Sequence, residues 1–139
     1  MIVKDTIFRS SDFGNFISIS KKKSIKLINK ISKSRNTRIC LHKANNSSLH
    51  VMLIKFFKSK NNKLHYHKNK CEFYFVLNGK LNIKIKKNKK IENKILSENE
   101  MLFMNNKVIH SVNPLTDKVI FIEVRPGPFK KNDSILYKK

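Results

Sequence analysis

From residue 37 onward, apolar and polar residues alternate in short segments, and this pattern strongly limits the folds that the chain can adopt. In Leu81–Lys87, for example, leucine and isoleucine alternate with asparagine and lysine, as in a strand with one buried face. About eight such segments follow one another at even spacing with no helix between them, which predicts an all-β sandwich or jelly-roll barrel. The predicted strands cover residues 38–43, 49–57, 71–77, 81–87, 90–96, 101–104, 109–112 and 118–125.

One helix is predicted before these strands. Ser20 is suited to cap its N-terminus, and Ile25, Leu27, Ile28 and Ile31 form an apolar stripe among lysines. We expect this helix over about residues 20–34, within an N-terminal extension that covers residues 1–37. A single barrel domain is expected over residues 38–129, and residues 130–139 are expected to form a flexible C-terminal tail. The length of 139 residues fits one domain.

The chain is strongly basic, with 31 Lys and Arg against 9 Asp and Glu and a formal net charge of +22. Only four of the basic residues are arginine. Proteins that read nucleic acids favour arginine, because its planar guanidinium group matches phosphate and guanine edges. We therefore expect a solvated basic surface that binds polyanions weakly at low salt, and no specific nucleic-acid partner.

The sequence carries no membrane signal. No window approaches the ~18 consecutive apolar residues that a membrane-spanning helix needs. Asp5 and Arg9 interrupt the N-terminal segment where a signal peptide would carry an apolar stretch. We expect no membrane partner and a cytoplasmic location, in which Cys40 and Cys71 would stay reduced.

Four residues of ligand type form the candidate functional site: His65, His67, Glu72 and His110. His65 and His67 are two residues apart in an extended segment, so both imidazoles face the same side. Glu72 begins the next predicted strand, and His110 lies on a later one. Such a set suits a divalent transition metal, with Fe, Zn, Ni, Mn and Co not distinguished. Alternatively, the pocket is metal-free and the same histidines act as bases or bind a ligand.

The spacing of this set resembles the first motif of the cupin superfamily, which is His-x-His, four residues, Glu, six residues and Gly. The motif is met at His65, His67, Glu72 and Gly79. The second motif, in which Pro-x-Gly comes shortly before the last histidine, is met only at His110. Lys107 stands at the glycine position of that motif, so Asn105 or Asn106 is expected to make the turn. The resemblance implies a single-domain cupin, that is, a double-stranded β-helix or jelly-roll barrel, with a short N-terminal helix.

Residues 20–133 also resemble the WbuC family of cupin-fold metalloproteins, which are found among bacterial O-antigen and surface-polysaccharide genes. The resemblance implies a small-molecule ligand related to a carbohydrate or nucleotide sugar, and it leaves the reaction open. The chain departs from the family at Cys40, Cys71 and Ile109. The matching pieces are the helix, Arg38–His42, His65–His67 with Lys70 and Glu72, Val76–Gly79, and the ending Phe121–Phe129.

Further pocket residues are predicted from alternation. Arg38, Cys40 and His42 share one face of a predicted strand, and Tyr74 shares the face of Glu72. Arg38 could bind a carboxylate or phosphate, and His42 could act as a general acid or base, which makes both candidate catalytic residues. The alternative for both is a surface or core role. Cys40 is either a soft group near the metal or a buried apolar residue. Tyr74 either lines the pocket or packs in the core.

Several functions stay open at this point. The chain is expected to be a metal-dependent cupin, with isomerase and oxygenase chemistry both compatible. It could instead be a metal-free sugar isomerase or epimerase, or a cupin that binds a ligand without turning it over. Glu123 could orient a ligand histidine, whereas His50 is expected to be structural. A homodimer is compatible with the sequence, with Leu49–Phe57 and the N-terminal segment as candidate interface.

Overall fold

Two β-sheets face each other, and one helix packs on the outside of the larger sheet. The computed structural model describes residues 6–9, 15–59 and 62–138. In chain order the elements of the described residues are β1 (Thr6–Arg9), α1 (Lys21–Ser32), β2 (Thr37–Cys40), β3 (Leu49–Phe57), β4 (His65–His67), β5 (Glu72–Asn78), β6 (Leu81–Lys87), β7 (Lys90–Leu96), β8 (Met101–Met104), β9 (His110–Pro114), β10 (Lys118–Pro126) and β11 (Ser134–Leu136).

The larger sheet has six strands in the order β1-β2-β3-β10-β5-β8, and the smaller sheet has five in the order β11-β4-β9-β6-β7. The barrel core lies between them. It joins Tyr74 and Phe121 of the larger sheet to Leu81 and Ile83 of the smaller one, and all four are fully buried. The predicted all-β jelly-roll class is confirmed, because the alternating residues place one apolar face of each strand toward this shared core.

The predicted helix is present as α1. The backbone N–H of Lys23 donates to Ser20 Oγ at 3.1 Å, so Ser20 is the N-cap. Ile28 is fully buried and packs with Ile39 and Leu53 on the outer face of the larger sheet. The helix therefore covers that face of the sheet and takes no part in the barrel interior. The described residues include no helix that is long and apolar enough to cross a membrane.

A turn at Asn78-Gly79, a dipeptide typical of hairpins, joins β5 to β6, but it does not make a hairpin. Gly79 has φ +81°, the left-handed conformation that glycine adopts readily. The strands on either side belong to different sheets, β5 to the larger and β6 to the smaller. The turn is therefore a corner between sheets, because both strands direct their apolar residues into the same core. The true hairpin is the next one, in which β6 and β7 pair around Asn88.

The turn before His110 comprises Asn106 and Lys107, so one of the two expected asparagines takes part in it. Lys107 itself adopts the left-handed conformation, with φ +68°, whereas Asn105 and Asn106 do not. The backbone N–H of Lys107 donates to the carbonyl of His67 at 2.7 Å. This hydrogen bond helps to offset the cost of about 1–2 kcal/mol of a Cβ in that conformation. It also ties the segment before β9 to β4, the strand that carries His65 and His67.

The C-terminal segment, expected to be a flexible tail, contributes β11 to the smaller sheet. β11 pairs antiparallel with β4, and Lys70 Nζ lies 2.5 Å from Asp133 Oδ2 just before it. The sequence shows no strand here because β11 is only three residues long and is stabilised by pairing with the edge of β4. At the other end, β1 pairs in parallel with β2, so residues assigned to the N-terminal extension also join the sheet.

The interface candidate Leu49–Phe57 is β3, which lies between β2 and β10. Both backbone edges of β3 are therefore paired within the chain. A second copy could not pair with this strand by its backbone. The other interface candidate, the N-terminal segment, lies mostly outside the described residues.

The corner at Gly79 gives a test of the fold. A Cβ at this position would lie 2.5 Å from the carbonyl oxygen of Lys118, so Gly79→Ala combines a steric clash with an unfavourable φ. We expect it to lower the free energy of unfolding by at least about 1 kcal/mol in urea titrations. Asn88→Gly is the matched control, since φ at Asn88 is +54°, and it should leave stability unchanged or slightly higher. Equal stability of Gly79→Ala and the wild type would contradict the proposed corner.

Candidate metal centre

The four predicted ligands come from three strands, and the fold brings them to one end of the barrel. His65 and His67 are the first and last residues of β4, and His110 is the first residue of β9. β4 and β9 pair with His65 directly opposite His110. Glu72 begins β5 in the facing sheet. The site therefore joins the two sheets.

The three histidines form a tight cluster. One ring nitrogen of each lies within 4.8 Å of the corresponding nitrogens of the other two. The ring centroids are 4.4 Å apart for His65 and His110, 5.2 Å for His65 and His67, and 5.6 Å for His67 and His110. His67 and His110 are buried, and His65 is half-buried. Among the described residues, this is the group of histidines placed to hold one metal ion.

Backbone carbonyls set the proton positions of two of these rings. His110 Nδ1 lies 2.8 Å from the carbonyl oxygen of Val108, and His65 Nδ1 lies 3.1 Å from that of Lys63. A carbonyl only accepts, so Nδ1 donates and Nε2 keeps its lone pair. His110 Nε2 is buried and makes no hydrogen bond within the described chain. A buried lone pair without a donor fits a metal ligand, and the nitrogen and oxygen donors of the set fit a transition metal.

Glu72 completes the set from the opposite sheet. Its Oε1 contacts His67 Nε2 and lies 3.6 Å from His110 Nε2. The hydroxyl of Tyr74 donates to the other oxygen, Oε2. Burial alone would raise the pKa of Glu72, but the hydrogen bonds from His67 and Tyr74 and the charge of His67 lower that pKa to about 2. Glu72 is therefore a carboxylate at neutral pH.

Burial favours the neutral form of two of the histidines, His65 and His110. Burial lowers the pKa of both His65 and His110 below the ordinary value of 6.5, and the backbone hydrogen bonds oppose this only in part. Neutral imidazole is the form that coordinates a metal ion. His65 and His110 are therefore already in the protonation state that metal binding requires.

A cavity of about 540 Å³ opens beside the cluster. His65, His67 and Glu72 lie in its wall, together with Arg38 and Tyr74. Tyr74 is fully buried, and burial raises the pKa of its phenol well above the ordinary value. The hydroxyl therefore stays protonated and serves as a hydrogen-bond donor to Glu72.

Cys40 and His42 do not line this cavity. Cys40 packs in the barrel core with Met52. His42 lies beyond the end of β2, and its Nδ1 accepts a hydrogen bond from the backbone N–H of Val51 at 3.2 Å. Its ring stacks on His50 with a centroid distance of 4.0 Å, beside a different cavity. The alternation that predicted a shared pocket ends with the strand, so His42 does not reach the metal centre.

The structure also adds residues that sequence reasoning did not assign to the pocket. Arg125 and Glu123 of β10 line the cavity, and their alternation was the available signal. Ser134 and Leu136 line it from β11, which the sequence did not reveal. Burial raises the pKa of Glu123, with the nearby charge of Arg125 opposing this. The remaining lining residues are Asn36, Phe56, Asn62, Lys63, Val112 and Phe129.

The neutral state of His65 and His110 makes stability depend on pH. Their pKa is lower in the folded chain than in the unfolded chain, so the unfolded chain binds more protons as the solution is acidified. Their contribution to stability is complete above pH 6.5 and is lost as the pH falls through the folded pKa values. Urea unfolding of chelator-treated protein, from about pH 7.5 to about pH 5, should show this decline. The double variant His65→Gln, His110→Gln should decline less steeply, and an equal decline would contradict the assignment.

Comparison with solved structures shows what this architecture is similar to. The capsular polysaccharide assembling protein CapF from Staphylococcus aureus matches with a TM-score of 0.64 and 18% identity, covering 77% of this chain and 33% of that chain. Oxalate decarboxylase from Bacillus subtilis matches with a TM-score of 0.56 and 18% identity, covering 66% and 24%. FeII HppE matches with a TM-score of 0.54 and 22% identity, covering 63% and 48%. This chain thus spans less than half the length of each, and the likeness confirms the cupin fold.

Sequence comparison identifies the family. No curated protein sequence matches the chain. A protein-family model described as mannose-6-phosphate isomerase C-terminal matches residues 20–138, from the N-cap of α1 to the residue after Tyr137. That range includes α1, the strands β2 to β11 and all four predicted metal ligands. The chain therefore belongs to the mannose-6-phosphate isomerase C-terminal family.

Proposed function

We propose that this chain is a metal-binding cupin of the WbuC type, with His65, His67, Glu72 and His110 as ligands of one divalent transition metal. The observation that supports the proposal best is the convergence of three imidazole nitrogens within 4.8 Å. The lowered pKa values of His65 and His110 and the carboxylate of Glu72 beside the cluster agree with it. Fe, Zn, Ni, Mn and Co all accept such ligands.

The residues around this site have separate roles in metal binding. When bound, the ion would supply Lewis-acid chemistry by polarising an oxygen of the ligand. The carbonyls of Lys63 and Val108 hold His65 and His110 in the tautomer that leaves Nε2 available. Tyr74 orients Glu72 by donating to Oε2, so that Oε1 faces the histidines.

The ligand that we propose is a small molecule related to a carbohydrate or nucleotide sugar, used in surface-polysaccharide biosynthesis. The family name and the name of CapF both concern sugars, and the resemblance to the WbuC family points the same way. The cavity volume lies in the range of small-molecule sites. Asn36, Asn62 and Ser134 in its wall offer hydrogen bonds to hydroxyl groups.

Arg38 remains the candidate catalytic residue within the cavity. His42, the other candidate, lies at the second cavity and would not contact a ligand bound at the metal centre. A metal-free sugar isomerase or epimerase, or a binding module without turnover, would use the same cavity. Two observations distinguish these alternatives from a metal-dependent cupin. They are the metal content of the protein and the dependence of ligand binding on that metal.

Metal content tests the proposal directly. We expect near-stoichiometric metal in the wild-type protein by inductively coupled plasma mass spectrometry. His67→Ala should lose most of it, because it removes one of the four proposed ligands and the contact of that ligand with Glu72. His50→Ala is the matched control, a buried histidine outside the cluster, and it should keep its metal. A wild-type protein that holds no metal even after reloading would overturn the proposal in favour of a metal-free cupin.

Metal should also stabilise the fold, because it binds the folded chain and joins the two sheets. At a free-metal concentration of about 100 times Kd, the gain is about 2.7 kcal/mol, and the Tm should rise by several degrees. Glu72→Gln should reduce this rise strongly, whereas Glu98→Gln, at an exposed carboxylate, should keep it. Differential scanning fluorimetry with and without chelator measures the effect. The same Tm rise in both variants would place the ion elsewhere.

A further inference from the structure

We infer that the cavity beside the histidine cluster binds an oxyanion, with Arg38 and Arg125 holding a carboxylate or phosphate group of the small-molecule ligand. The inference rests on the proposed function, since it names the class of ligand that the same cavity takes. It is drawn from the distribution of arginine, the placement of the two side chains and the balance of charge in the cavity wall.

Arginine is scarce in this chain and concentrated at this site. The sequence contains four arginines among 31 basic residues, namely Arg9, Arg35, Arg38 and Arg125. Two of the four line the cavity. Lysine supplies the general positive charge of the surface, whereas a guanidinium group offers a planar fork that matches two oxygens of a carboxylate or phosphate.

The two arginines stand on the sheet opposite the histidine-bearing strand β4. Arg38 is on β2 and Arg125 is on β10, and both strands flank β3. The guanidinium carbon of Arg38 lies 5.5 Å from the ring centroid of Phe56, which also lines the cavity. Packing over an aromatic ring restrains the guanidinium group and reduces the entropy that it loses on binding. A ligand between the two sheets could thus reach the arginines and the metal centre together.

The charge of the cavity wall favours an anion. Arg38, Arg125 and Lys63 are its cationic side chains, and Glu72 and Glu123 are its carboxyl groups. Glu72 is already engaged by His67 and Tyr74. The shortest approach of Arg125 to Glu123 is 4.0 Å, from Nη2 to Oε2, which is longer than a hydrogen bond. A divalent ion would add to this positive excess and raise the attraction for an anionic ligand.

Calorimetric titration of the metal-loaded full-length protein tests the inference with two anions and their uncharged counterparts. Succinate probes the carboxylate, with succinamide as its control, and glycerol 3-phosphate probes the phosphate, with glycerol as its control. We expect at least one anion to bind and both neutral compounds to fail. The anion with the lower Kd identifies which oxyanion the site takes.

Arginine variants locate the binding. Arg38→Gln and Arg125→Gln should each raise Kd by about 10-fold to 100-fold, as expected for the loss of a charge-assisted hydrogen bond. Arg35→Gln is the matched control, because Arg35 is exposed and outside the cavity, and it should leave Kd unchanged. Arg38→Lys keeps the charge but not the fork, so an intermediate Kd would support two-oxygen recognition. Metal content, measured on the same samples, should be equal in all variants.

Three results would overturn the inference. The first is that neither anion binds the metal-loaded protein with a Kd below about 10 mM. The second is that the neutral compounds bind as tightly as the anions. An increase in Kd for Arg35→Gln as large as for Arg38→Gln would show a general surface effect. The two proposals fail separately. If the protein holds no metal but still binds an anion through Arg38 and Arg125, the metal proposal is wrong and the oxyanion site is still supported.

Discussion

The contact between Glu72 of the larger sheet and His67 of the smaller sheet is the interaction on which the candidate site depends. Both side chains are almost fully buried, and burying polar groups is costly unless they are well partnered. Glu72 meets this condition through His67 and Tyr74, which lowers its pKa to about 2 against the effect of burial. The same contact draws the ends of β4 and β5 together across the barrel and brings the histidine cluster against a carboxylate.

The surrounding fold supports this contact from several sides. β9 places His110 opposite His65, and the backbone N–H of Lys107 donates to the carbonyl of His67, so the strands that carry the histidines are bound to each other at the site. β11 covers the remaining edge of β4 and adds Ser134 and Leu136 to the cavity wall. A small barrel can thus hold four polar ligands at one end because its other end is filled with fully buried apolar residues such as Leu81 and Ile83.

The division of basic residues follows from the same geometry. Most lysines occupy the exposed face of α1, the outer faces of strands and the loops, where they are solvated, whereas Lys55 and Lys70 are buried. Arg38 and Arg125 lie on inward-facing positions of the larger sheet, beside the carboxyl groups of the cavity. The large net charge of the chain therefore describes mostly its surface. The chemistry of the site depends on a few side chains whose positions the two sheets determine.

The sequence by itself determined the fold class, the helix and the four candidate ligands, because each rests on local periodicity or spacing. Alternating apolar and polar residues indicate a strand, and Ser20 before an apolar stripe indicates a capped helix. The spacing His65-x-His67 places two imidazoles on one side of a strand. Only the tertiary structure decided which strands share a sheet, and so whether Gly79 makes a hairpin or a corner. It also decided that Lys107 takes the left-handed conformation in the turn before His110, that His42 lies outside the cavity, and that β11 and Arg125 help to form the cavity. These features depend on contacts between residues far apart in the chain, and local patterns carry no information about such contacts.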